Sequence, residues 1–178
     1  EYVLTGVPAE RLCDMHLANF AALREVAIQS QTATRDELLE QFASPKFVKV
    51  VAWKNGIPIG LGVMTNHLDE VQELSQEFLL ARYPDQASRN AIFWGIYVTI
   101  DASHRGVTLF SRITTAMGQI TARSGGVFIY DMCEHNRLVG RVDALATQMS
   151  RLFPNSKVSV VDTQTWYVAE LPEPIAGR

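Results

Sequence analysis

Asp131, Cys133, Glu134 and His135 set two carboxylates, a thiol and an imidazole within five positions of one another. An imidazole with an unperturbed pKa of ~6.5 exchanges its proton near neutrality, which makes His135 the first candidate for acid–base work, with Asp131 and Glu134 as substitutes. Cys133 invites a covalent step on its thiol. Closeness in sequence to His135 does not secure nucleophile–base geometry, however, and a buried cysteine behaves as a small apolar residue. All four residues also suit a solvated loop. Upstream, the polar turn Asp101 to Gly106 presents His104 and Arg105 just before a helical stretch, where an arginine is either a solvated turn residue or an anion contact. Tyr97 and Tyr130 carry hydroxyls, though aromatic residues in strands are more often core. The same holds for Trp53, Trp94 and Trp166, whose functional alternative is to line a cleft. His16, His67 and His104 show no metal-ligand spacing, so no metal is expected.

The elements that position these residues follow from periodicity and turn chemistry. Glu1 to Val7 predicts a short strand, and apolar residues at helical spacing from Pro8 to Ile28 predict a long amphipathic helix. Thr34 and Glu37 form a capping-box pattern ahead of a second helix that Pro45 closes. Lys46 to Trp53 and Ile57 to Met64 are β-rich and flank Asn55-Gly56, the type I′ dipeptide, so a hairpin is expected. A helix over Asp69 to Ala81 follows, with Phe78 and Leu79 expected to wall a cleft rather than fill the core. The nearly continuous apolar run Ala91 to Ile100 predicts a central strand. Val107 to Arg123 predicts a helix stopped at Gly125-Gly126, Val127 to Met132 a buried strand, and Asn136 to Phe153 a helix ending at Pro154. Lys157 to Val161 and Thr165 to Leu171 predict two closing strands. The expected class is α/β, with a mixed sheet of about seven strands flanked by helices.

A chain of 178 residues fits a single domain, 1–178. With 47% hydrophobic and 20% charged residues it has the composition of a globular protein. A net charge of −3 offers no clustered attraction for nucleic acid or anionic lipid, so neither is expected as a partner. Two cysteines far apart indicate neither a disulfide framework nor a zinc site and fit a reducing cytoplasm. No run approaches the ~20 apolar residues of a membrane span. The start at Glu1 fits a trimmed chain or a piece of a longer one.

The order of elements, together with Val98-Thr99-Ile100-Asp101-Ala102-Ser103-His104-Arg105-Gly106-Val107-Thr108, resembles the GNAT acyltransferase superfamily. There a strand runs through a turn into Arg/Gln-x-x-Gly-x-Gly/Ala at a helix N-terminus, whose free N–H groups receive the CoA pyrophosphate. Arg105 and Gly106 match in place, whereas Thr108 and Phe110 stand where the family has its second glycine and its Gly/Ala. Tyr130-Asp131-Met132 followed by Asn136 is similar to the family's splayed strand and next helix start; Asn136 would equally suit a helix N-cap. The resemblance implies a donor site of Val98, Thr99, Ile100, Arg105, Gly106, Val107, Thr108 and Asn136, with acetyl-CoA or another acyl-CoA as donor.

The resemblance further implies acyl transfer to a small-molecule or protein amine by direct attack, and a possible homodimer. The family's frequent Glu on the central strand and Tyr on the later helix are absent. His135, Asp131 and Glu134, placed where the thioester would sit, become the candidates for taking the amine proton. Two other readings stand beside this one. The extra helical sequence after the hairpin is similar to that of carrier-protein-dependent acyl-homoserine-lactone and long-chain N-acyl amino acid synthases, although their Glu-x-Ser-Arg-Phe signature is replaced by Phe93-Trp94-Gly95-Ile96-Tyr97. Phe110 and the missing Glu and Tyr point instead to a GNAT-fold binding module without catalysis.

Overall fold

The computed structural model describes residues 1–28, 33–139, 153, 156–168 and 170. Residues 1–5 form no strand: they run extended, with the Leu4 N–H on the Phe42 carbonyl and Glu1 exchanging backbone hydrogen bonds with Lys49. The first helix, α1 (Gly6–Phe20), starts at Gly6, so Pro8 sits in its first turn. Its buried residues Ala9, Leu12, Cys13 and His16 keep an i, i+3, i+4, i+7 spacing and face the sheet. A turn at Ala21–Ala22 ends it, and only the short α2 (Leu23–Val26) follows, in place of one helix reaching Ile28.

The capping box is present at α3 (Arg35–Ala43): the Thr34 hydroxyl accepts from the Glu37 N–H while the Glu37 carboxylate accepts from the Thr34 N–H. Leu38 and Phe42 of this helix join Leu12, Leu61 and Val63 in one core, each fully buried side chain contributing about 1.5–3 kcal/mol. The hairpin forms as its sequence predicts, β1 (Phe47–Lys54) against β2 (Ile57–Thr65), with Asn55 and Gly56 both at positive φ.

The predicted helix over 69–81 is broken. A short 3-10 turn over Leu68–Glu70 is followed by α4 (Gln76–Arg82) and α5 (Pro84–Ala87). Ser75 begins a fresh helix because its hydroxyl accepts the Phe78 N–H at 3.2 Å, offering the backbone an alternative to continuing the earlier turn. Leu79 is core, packed with Leu68, Val71, Ile92 and Trp94, while Phe78 is exposed; the cleft wall expected of both is not what Leu79 forms.

The sheet runs β1-β2-β3-β4, antiparallel as far as β3 (Ile92–Ile100) and parallel between β3 and β4 (Val127–Tyr130). Among the described residues it has four strands rather than seven, and neither 157–161 nor the described part of 165–171 is a strand. Helix α6 (Val107–Arg123) packs Ile113 and Met117 on the sheet face opposite α1, against Val48, Met64 and Phe93. The last described helix, α7 (Glu134–Val139), begins two residues before Asn136, which therefore lies inside the helix and is not its cap. The remainder of the helix predicted to Phe153 lies mostly outside the described residues.

Candidate functional site

Strands β3 and β4 pair over only four residues, from Ile92↔Val127 to Gly95↔Tyr130, after which β3 continues through Ile100 without a β4 partner. The parting coincides with a bulge. Val63 faces Tyr97 and Met64 faces Gly95, so Ile96 is the extra residue on β3. Gly95 permits the close approach of β4 just before the gap, because a Cβ there would lie 2.5 Å from Cζ of Phe128. Sequence reasoning missed both features, although a glycine inside an apolar strand run was the available signal. Val98, Thr99 and Ile100, read as donor contacts, lie on the length that keeps its β2 partner but has none in β4, and Asp131 follows the last paired residue of β4.

Beyond Ile100 the turn is built by Asp101. Its carboxylate accepts from the Ser103 hydroxyl at 2.5 Å and the Ser103 N–H at 2.9 Å, and these bonds, with lesser help from His104 and Arg11, hold its pKa below the ordinary carboxylate value. Arg11 of α1 reaches Asp101 at 3.0 Å and the Pro58 carbonyl at 3.2 Å. Lys54, at the end of β1, sits 3.0 Å from Nε2 of His104. The Arg105 guanidinium donates through Nη2 to Oδ1 of Asn19 at 2.6 Å. The Asn19 amide in turn donates to the Thr99 hydroxyl at 2.7 Å and the Ile100 carbonyl at 2.8 Å.

Gly106 is the N-cap of the 17-residue α6 and provides no side-chain cap, and no acidic residue occupies the first turn. The N–H groups of the first turn, which includes Val107 and Thr108, are therefore left for water or a ligand. Gly106 has φ 178°, an extended value open to any residue, and a Cβ there would meet nothing within 4 Å. The space above it is open. Lysine, arginine and free N–H groups concentrate here, suiting an anionic ligand. A surface groove of about 590 Å³ adjoins the turn, lined by Arg11, Asp14, Met15, Asn19, Asp101 and Ala102 among others.

The candidate proton-transfer residues are less organised. Partial desolvation raises the pKa of Asp131, a backbone hydrogen bond opposes the shift and the Glu73 charge adds to it, while the residue as a whole stays open to solvent, which weakens the shift. Glu134 is exposed and engaged in a two-point ion pair with Arg137, both contacts 2.7 Å, which lowers its pKa. His135 is exposed in the first turn of α7. Among the described residues neither Asp131 nor Glu134 hydrogen-bonds it. Cys133 is a half-buried free thiol. Tyr97 is a core residue whose hydroxyl donates to Oε1 of Gln41 at 2.6 Å, and burial pushes its pKa upward, which takes it out of consideration as an acid. Its ring meets His16, whose centroid lies 4.3 Å away.

No family model matches the sequence, and no curated protein matches it. Solved structures do resemble the chain. The aminoglycoside acetyltransferase meta-AAC0020, from an uncultured soil metagenomic sample, is 13% identical in its sisomicin complex, with a TM-score of 0.48 over 91% of this chain and 93% of that one. Its trehalose complex gives 16% identity and a TM-score of 0.46 over the same shares. Aminoglycoside N-acetyltransferase AAC(6')-Iy in complex with CoA is 15% identical, with a TM-score of 0.42 over 85% of this chain and 94% of that one. Likeness at this level assigns the chain neither substrate nor reaction.

Proposed function

We propose that this chain is a GNAT-type N-acyltransferase that moves an acetyl or other acyl group from acyl-CoA to an amine. One observation carries the reading: β3 outruns β4 by five residues and leads, through a cation-bearing turn, to the uncapped N-terminus of α6. An extended pantetheine arm would hydrogen-bond the open side of Ile96–Ile100 as an added strand does. The diphosphate would take the N–H groups of Val107 and Thr108 together with Arg105, and Gly106 leaves room for it. Placed this way, the thioester lies near the parting at Gly95 and Asp131. The amine lone pair then attacks the carbonyl carbon, the C–S bond breaks, and the amine proton leaves for a base while the thiolate is protonated. Asp131 and His135 remain the candidate bases, since Glu134 is held by Arg137. Asn136 is proposed as a donor contact from within α7 and not as a helix cap.

The uncoupled placement of Asp131, Glu134 and His135 favours a second reading, a binding module of the same fold that has lost catalysis. Calorimetry with CoA and acetyl-CoA, paired with a thiol-release assay over primary amines with short and long acyl-CoA donors and acyl-carrier-protein donors, distinguishes the two. Binding with turnover is the expected result. Binding without turnover on any amine supports the module, acylation only from carrier-protein donors supports the synthase-like alternative, and absence of CoA binding removes the donor-site reading altogether.

A further inference from the structure

Asn19 lies in the last turn of α1, on the opposite face of the sheet from α6, yet its side chain connects the two ends of the anion-binding turn. Both polar atoms of its amide are directed there. The oxygen accepts from Arg105, and the nitrogen donates to the Thr99 hydroxyl and to the carbonyl of Ile100, the last residue of β3. These partners also fix which way the amide points, because the reversed orientation would set NH2 against a guanidinium and a carbonyl oxygen against a carbonyl oxygen. Arg11 is attached to Asp101 eight residues earlier on the same flank of α1, so the helix grips the turn at both ends.

An exposed arginine otherwise loses rotamer freedom when it binds an anion, and a side chain already anchored does not. Only Nη2 of Arg105 is used in the bond to Asn19, and Nε and Nη1 make no hydrogen bond to a described residue. The fork is thus held at one corner and free at the others. An aspartate at position 19 would also hold Arg105, but it would neutralise the guanidinium and repel the Ile100 carbonyl. A neutral amide holds without quenching the charge.

We propose that Asn19 is a positioning residue for the donor's diphosphate, presetting Arg105 so that the docking of α1 governs donor affinity. The inference rests on the donor-site reading given under Proposed function.

The test is a double-mutant cycle on CoA affinity, measured by calorimetry at fixed salt with Asn19→Leu, Arg105→Gln and the double variant, beside thermal melts of all four proteins. Arg105→Gln is expected to weaken CoA binding ~10–100-fold through loss of a charge-assisted contact. Asn19→Leu is expected to weaken it ~5–10-fold through lost preorganisation, and to change it by less than ~2-fold when Arg105 is already glutamine. A purely structural role would lower affinity equally in both backgrounds, which overturns the proposal. So does an Asn19→Leu protein with parental affinity when Arg105→Gln has lost it. If Arg105→Gln itself binds CoA as the parent does, or the parent does not bind CoA, the donor-site reading falls and this inference with it. Asn19→Ala replaces the leucine in the same cycle if the larger apolar group prevents folding.

Discussion

His16 gives the chain a measurable weakness to acid. Its ring is 1% exposed, stacks on Phe20 at 4.3 Å and meets the edge of Tyr97, and both nitrogens are buried without a hydrogen-bond partner. Nothing there solvates an imidazolium, so burial lowers the pKa from 6.5 to about 4. In the unfolded chain the same group takes its proton near 6.5. Above that pH neither state is protonated and full stability is present. As the pH falls through the window from 6.5 to about 4, the unfolded state binds a proton that the folded state refuses, and stability drops; below about 4 both states bind it and the loss levels off. Each pH unit in that window is worth about 1.4 kcal/mol, so the loss totals about 3 kcal/mol, a substantial part of the 5–15 kcal/mol that holds a typical domain together. Urea unfolding of the parent and of His16→Phe at pH 7, 6, 5 and 4 measures it. Phenylalanine preserves the stack and cannot titrate. Carboxylates with lowered pKa, such as Asp101 and Glu134, also lose stability in acid, but they do so in both proteins and cancel in the difference. The two proteins should diverge by about 3 kcal/mol between pH 7 and 4. Parallel loss over that range would refute a buried neutral His16.

Lys49 should act at the alkaline end: it is fully buried, donates to the carbonyls of Tyr2 and Ser44, and has its pKa lowered by burial from 10.5 to about 8. Between these values the unfolded chain keeps a proton that the folded chain releases, so stability rises with pH, by about 2 kcal/mol from pH 8 to 9.5 relative to Lys49→Met; a flat difference in urea midpoints would contradict this. Gly95→Ala should cost about 1–3 kcal/mol by driving a Cβ into Phe128, and Phe128→Leu should recover part of the loss in thermal melts. A fully stable Gly95→Ala protein would mean that β4 has slack at the parting. Thr34→Ala should cost about 1 kcal/mol in urea unfolding by removing the capping box of α3, and a loss within experimental error would mean that solvent replaces the cap.

The local features of the fold were legible where one residue pair decides the backbone. Asn55-Gly56 set the hairpin, Thr34 with Glu37 set the start of α3, and Val107 to Arg123 was bounded correctly by Gly106 and the Gly125-Gly126 pair. The reading failed where tertiary contacts overrode periodicity. Val71, Leu74 and Leu79 keep a helix-like spacing but reach one apolar cluster by way of a broken path, and Ser75 was the residue that announced the break. At the candidate site, the turn Asp101 to Gly106 was visible because its residues are contiguous. Arg11 and Asn19, which grip it, stand some ninety positions away in a helix, where their types suggest only a solvated face. His16 likewise reads as one more polar residue until the packing around it is seen.

The extra residue at Ile96 splits β3 into two lengths of opposite parity. Phe93 and Gly95, odd-numbered, face the α6 side before it; Val98 and Ile100, even-numbered, face that side after it. The strand is therefore two phrases joined by a shifted beat, one answering to β4 and the other to α1 and the turn. Drift in either phrase can proceed without disturbing the other as long as the join keeps its length. A one-residue deletion at the join would restore strict alternation with Thr99 still on the Asn19 side, but it would remove the bulge that bends β3 where it parts from β4. Among descendants of this chain, the count of residues between Gly95 and Asp101 should resist change more strongly than the identity of any one of them.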